Sequence, residues 1–331
     1  MNYINIKDKN KGWLDALYSA WCNGCKFYNK KEYNKAMKYF NLLNQIFREN
    51  VPKYDFYELR EEAYKEILNN NIQKGIKKFI WHIEGILLSK DYYSLSGELI
   101  TVTSILTKIG KYNIAKCFLN IGAERIYEDI KDIKPESILK EVLNSLFGDE
   151  EIERIKRENN LENLIKENII DFNIDYFNSM MDFFMYALNW ERFLKIHEEV
   201  KNKIKKCKIS REIIEKIIER FEESMSDKLS IAYLLKGDYA KCLEYMELFK
   251  RHYGECLKEY EIEKNKFNLI EYIANSLKDR IIKKEEWIIE LNEIYKDILN
   301  KPLKPTYKET KNCDLEYILD YYVLKSFIES I

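Results

Sequence analysis

The chain is poor in the residues that break helices and make tight turns, with ten glycines and four prolines in 331 residues, against the roughly 12% of average usage. Turns of the β-hairpin kind depend on such residues, so a sheet-rich fold is excluded and an all-α fold is expected. Charge of one sign is also missing. Fifty-five Lys and Arg against 56 Asp and Glu leave a formal net charge of −1, which removes any whole-chain attraction to nucleic acid or to an anionic membrane surface. No stretch approaches the roughly 18 uncharged apolar residues of a membrane span, and the most apolar one, Met180 to Trp190, is interrupted by Asp182. Met1 to Lys11 carries Asp8 with several Asn and Lys residues instead of an apolar run, so a soluble, cytoplasmic protein without a membrane partner is expected.

Chemistry-bearing motifs are equally scarce. The seven cysteines are odd in number and thinly spread, unlike the framework of a small secreted domain, and are expected to be free thiols. Cys22-x2-Cys25 supplies only half of a tetrahedral zinc site, and the chain has no second Cys pair or His pair to complete it. His252 and Cys256 share one helix face but lack further ligands. No phosphate loop, nucleophile elbow or HExxH helix is present. A non-enzymatic protein with no cofactor and no metal is expected.

What is abundant is apolar and aromatic surface: 46% hydrophobic residues, including 25 Tyr and 16 Phe, enough for most of the chain to fold. This material is periodic. The clearest unit is Gly24-x2-Phe27-x5-Tyr33-x2-Ala36-x3-Phe40-x2-Leu43, two helical segments about a polar turn at Asn29, Lys30 and Lys31. Two more are Leu106-x3-Gly110-x-Tyr112-x2-Ala115-x3-Leu119 and Tyr233-x3-Gly237-x-Tyr239-x2-Cys242-x3-Met246-x2-Phe249. The small positions Ala36, Gly75 and Ala115 stand 39 and 40 residues apart, two further steps of 39 reach Arg154 and Phe193, and Cys242 follows after 49.

These units resemble the tetratricopeptide (TPR) repeat, in which small residues at facing positions let two antiparallel helices approach and aromatics pack around them. The period exceeds the roughly 34 residues of a standard TPR, so longer helices or turns are expected. The resemblance implies an α-solenoid (superhelix) of roughly seven antiparallel helix pairs over residues 1–299. A Pro-containing linker over 300–312 follows, with Pro302 and Pro305, and then a C-terminal capping helix over 313–331, where Leu315, Ile318, Leu319, Tyr322, Val323 and Phe327 form one apolar stripe.

The TPR-like resemblance also implies a groove that takes a protein segment or peptide. The positions that would line it fall on Tyr18, Trp21, Cys25, Tyr28 and Asn29 in the first repeat and on Tyr57, Arg60 and Tyr64 in the second; Tyr, Trp and Arg are the types that dominate interface hot spots. The Lys and Asn clamp that holds terminal carboxylates in some TPR proteins is replaced by Trp21 and Cys25, so chaperone C-termini are not the expected ligands. An alternative reading is an RNA-binding or RNA-cleaving helical protein. Arg192-x4-His197 resembles the Arg-x4–6-His motif of HEPN-type ribonucleases, and Lys201, Lys203, Lys205, Lys206, Lys208 and Arg211 form an acid-free basic run beside it.

The small-residue register predicts that Ala36→Leu overpacks the first helix pair and costs about 1–3 kcal/mol, whereas Lys38→Ala leaves stability within about 0.5 kcal/mol. Urea unfolding of the two variants checks this, and equal midpoints would place Ala36 away from any helix contact.

Overall fold

A computed structural model of the chain describes residues 12–50, 56–89, 92–132, 134–135, 143, 148–159, 174–254, 260–303 and 312–331. Among these residues the fold is all-α. Fifteen helices follow one another as α1 (Gly12–Asn29), α2 (Tyr33–Asn50), α3 (Phe56–Leu68), α4 (Ile72–Ser89), α5 (Tyr92–Lys108), α6 (Tyr112–Ile130), α7 (Asp149–Asn159), α8 (Ile174–Tyr186), α9 (Trp190–Ile204), α10 (Arg211–Ser224), α11 (Ser226–Lys236), α12 (Tyr239–Tyr253), α13 (Glu261–Lys278), α14 (Lys284–Asn300) and α15 (Asn312–Ser330). No described helix is long and apolar enough to cross a membrane. Most of the expected linker, residues 304–311, lies outside the described residues, as does Met1 to Lys11.

The helices pair through one recurrent turn. Lys31, Asn70, Gly110, Leu188, Gly237 and Arg280 each adopt a positive φ, between 58° and 81°. At every one of them the same two bonds close the preceding helix. The N–H of the positive-φ residue reaches back three residues, as from Gly237 to the Leu234 carbonyl at 3.0 Å, and the next N–H reaches back five, as from Asp238 to the Tyr233 carbonyl at 3.0 Å. This left-handed cap satisfies carbonyls that a helix end leaves open and reverses the chain. At the first five turns the following residue (Glu32, Asn71, Lys111, Asn189 or Asp238) already accepts the first bond of the next helix, from Ala36, Gly75, Ala115, Phe193 or Cys242. The sequence period and the backbone period therefore coincide.

Two compact units are formed, one of residues 1–121 with 301–318 and the other of residues 122–300 with 319–331; two of the three divisions fall inside α6 and α15 and the third at the end of α14. In the first unit the small positions act as expected. A Cβ added at Gly24 would collide with the Phe40 ring, and one at Gly75 would come within 2.6 Å of the Ile67 side chain and 2.9 Å of the Ala63 carbonyl oxygen. Phe47 packs on Trp81 with ring centroids 4.6 Å apart, and Phe118 meets Trp21 at 5.1 Å and Phe79 at 5.5 Å. Helix α5 is buried on several sides yet carries Thr101, Thr103 and Ser104 there. Thr101 and Thr103 donate to the carbonyls of Gly97 and Leu99 one turn back, and Ser104 donates to the Leu315 carbonyl of α15 at 2.7 Å.

In the second unit the register is interrupted. Arg154, at a small position by spacing, is exposed and pairs with Glu151 at 2.6 Å, while Ile152 and Ile155 are the buried residues. The stretched interval between Phe193 and Cys242 holds an added helix, α10, separated from α11 by Met225 alone. The part of α6 in this unit lies along α9: Tyr127 donates to Glu199 at 2.8 Å and Lys203 to the Lys131 carbonyl at 2.5 Å, both across 72 residues of sequence. A strictly nearest-neighbour array would make its contacts over about one period; these span nearly two. Residues of α15 from Leu319 onward do cover α13 and α14, as a cap must. Lys266 donates to Asp320 at 3.1 Å, Tyr321 to Asn292 at 2.7 Å, and Lys284 to the Glu329 carbonyl at 3.0 Å. The helix is also buried beyond that one stripe, with Asp320, Tyr321, Leu324 and Ile328 all buried.

Since lysine carries a Cβ cost in the left-handed region that glycine lacks, Lys31→Gly should raise stability by about 0.5–1 kcal/mol and Gly237→Ala should lower it by about 1 kcal/mol. Chemical denaturation measures both, and the opposite ordering would contradict the turn geometry.

Candidate functional site

The residues expected to line a groove fall into three groups. Trp21, Cys25, Tyr28 and Tyr64 are buried, which corrects their assignment to an open recognition surface. For two of them the cover is plain: Phe118 of α6 lies against Trp21, and Tyr33 and Phe40 of α2 close on Tyr28 at 5.0 and 6.4 Å. Tyr18 and Asn29 remain accessible, Tyr18 half-buried with its ring 6.1 Å from Trp21 and beneath the Lys77 ammonium, and Asn29 exposed at the end of α1. Tyr57 belongs to α3, but its side chain lies outside the described residues.

Arg60 is neither groove nor apolar core. Its guanidinium donates to Glu98 at 2.9 Å, and the second oxygen of that buried carboxylate lies 3.4 Å from His82 Nε2. Three helices, α3, α4 and α5, thus meet on one carboxylate. The sequence offered one signal for this contact: Arg60 and Glu98 are 38 residues apart, within one residue of the repeat period.

In the first unit Cys22, Cys25 and Cys117 lie close together. Burial pushes the Cys25 thiol well above its ordinary value, and a hydrogen-bonding contact with Cys117 adds to the shift. Burial raises Cys22 as well, while Tyr18 hydrogen-bonds to it. A thiol held protonated is a poor nucleophile and a poor metal ligand. Among the described residues no three His, Cys, Asp or Glu side chains are arranged to hold a metal ion; Cys256 lies outside those residues.

In the second unit the Arg-x4-His arrangement does not form a phosphodiester site. Arg192 makes a two-pronged pair with buried Glu124, with both bonds 3.0 Å long, and stacks its guanidinium over the Tyr127 ring. His197 is 1% exposed, lies nearly parallel to Phe221 at 5.2 Å, and has no hydrogen-bond partner at either ring nitrogen. Burial, aided by the nearby Lys201 charge, lowers its pKa to about 3. It is a neutral aromatic of the core. The neighbouring basic run is partly neutralised too: Lys201 pairs with Glu222 at 2.5 Å, Lys203 reaches the Lys131 carbonyl, and Arg211 pairs with Glu215 at 2.8 Å. Lys205, Lys206 and Lys208 stay exposed. His252, by contrast, is at the surface, 3.7 Å from Glu223.

No protein-family model, curated protein or solved structure matches this chain.

The buried imidazole dictates a pH dependence. In the unfolded chain His197 takes up a proton below about pH 6.5, whereas in the fold it stays neutral down to about pH 3. Acidification through this window thus favours unfolding, by about 1.4 kcal/mol per pH unit from this group. His197→Phe should abolish that contribution, so that the variant loses about 2 kcal/mol less than the parent between pH 6.5 and 5. Urea titrations at the two pH values test it, and identical losses would mean that His197 is not buried as a neutral ring.

Proposed function

We propose that the chain is a non-enzymatic, TPR-like interaction protein that binds a segment of another protein or peptide in the cytoplasm. The observation that carries this reading is the six-fold recurrence of one helix-reversing turn with the same pair of backbone bonds. A chain built by repeating one hairpin presents successive helix ends and loops as an extended recognition surface, which is the use to which helical repeats are suited. The interior of each unit is occupied by interlocked rings and paired charges, which leaves binding to the outer surfaces. In the first unit Tyr18 and Asn29 are the accessible members of the expected recognition set.

The ribonuclease alternative is less well supported, because the imidazole it needs is closed from solvent and the arginine it needs is committed to Glu124. The lysines left exposed, Lys205, Lys206 and Lys208, carry too few charges for tight phosphate binding at physiological salt.

Affinity capture from native extract, with and without nuclease, tests the proposal. A protein partner should be retained after nuclease treatment and should be weakened several-fold by Tyr18→Ala with Asn29→Ala. Partners lost on nuclease digestion, or RNA cleaved by the purified chain and spared by His197→Phe, would overturn it.

A further inference from the structure

The last hairpin of the second unit departs from the other five in a way that changes its surface. After Arg280, the left-handed residue, the next helix does not begin at once. The first bond of α14 runs from Trp287 to the Lys283 carbonyl, so its cap falls two residues later than at the other turns. The two interposed residues are Ile281 and Ile282, which are 48% and 62% exposed. Ile289, on the outer face of α14, is 69% exposed. Trp287, Leu291, Tyr295 and Ile298 form the buried face of the same helix, so Ile289 is not a misaligned core residue. Three large aliphatic side chains facing water over two helical turns are costly unless something covers them.

The charges around them are segregated along the axis. At the turn end stand Lys278, Asp279 and Arg280, all exposed and in no ion pair among the described residues. Lys283 is directed onto Glu286 and the Tyr272 hydroxyl. Further along α14 stand Glu285, Glu290 and Asp297, likewise exposed and without an ion-pair partner among the described residues, and Glu293, whose one partner is Lys296 on the next turn. The turn thus carries a net positive charge and α14 a net negative one, with Ile281 and Ile282 in the first and Ile289 in the second.

A surface of that kind complements its own copy reversed. The geometry points to a two-fold homodimer in which α14 of one chain lies antiparallel to α14 of a second copy. The isoleucines would be covered by their counterparts, and the Lys278 and Arg280 end of each chain would face the Glu290 and Glu293 stretch of the other. Antiparallel apposition pairs unlike charges twice, once on each side of the axis, whereas parallel apposition sets like against like. This inference goes beyond the proposed function, since it concerns a surface away from Tyr18 and Asn29 and a partner identical to the chain itself.

Sedimentation equilibrium of the full chain from about 1 to 300 µM tests it, a range that covers weak, small-interface association. Reversible dimer formation is expected, with Ile289→Asp weakening it by about tenfold or more while leaving the thermal melt unchanged because the side chain is exposed. Arg280→Glu and Glu290→Arg should each weaken the dimer, and the two together should restore it. A monomer across the whole range, or a dimer indifferent to Ile289→Asp, would overturn the proposal. So would a charge-reversed double variant no tighter than either single one.

Discussion

One backbone event sets the architecture: a single residue in the left-handed region at the end of a helix, with two short hydrogen bonds returning to the last turn. It recurs at Lys31, Asn70, Gly110, Leu188, Gly237 and Arg280. It decides where each helix stops, and at the first five of these turns it also decides that the next starts two residues later. Because the turn is short, the two helices must lie side by side, and because they lie side by side, the residue five positions on meets the preceding helix. All five residues at this position are buried, and four of them, Ala36, Gly75, Ala115 and Cys242, are small, whereas Phe193 fills the same place at the fourth turn. Glycine at only two of the six turns shows that the chain accepts a steric cost of about 1–2 kcal/mol at the others to retain one geometry.

Within each unit the hairpins are pinned by charges brought into the interior. Glu98 holds Arg60 in the first unit; Glu124 holds Arg192 and Asp320 holds Lys266 in the second. Such pairs add little net stability compared with apolar residues of the same volume, but removing one member leaves an uncompensated buried charge and costs about 3–5 kcal/mol. Arg60 illustrates how a residue type common at interfaces can instead serve the interior: the same planar donor set that would clasp a ligand carboxylate clasps Glu98.

The fold was legible because it is local. Scarcity of Gly and Pro, the 39- and 40-residue spacing and the Gly24, Ala36 and Phe40 pattern all express contacts between residues on neighbouring helices. The candidate site was much less legible. Trp21 and Tyr28 read equally well as core or as groove, since an amphipathic aromatic suits both, and only the presence of Phe118 against the one and Phe40 against the other decides. Likewise His197 carries a catalytic residue type in a suggestive spacing, but its stacking on Phe221 follows from the placement of α10, a helix that the repeat pattern did not anticipate.

The sequence by itself determined the class of structure, the positions of most helices and the length of the repeat, because each depends on backbone preference and on contacts within one or two turns. Tertiary structure alone decided which aromatics face inward and which charges pair. It also placed α6 against α9 across nearly two periods and left Ile281, Ile282 and Ile289 without cover. Those outcomes depend on what arrives from distant parts of the chain, and a side chain's own chemistry does not specify its neighbour.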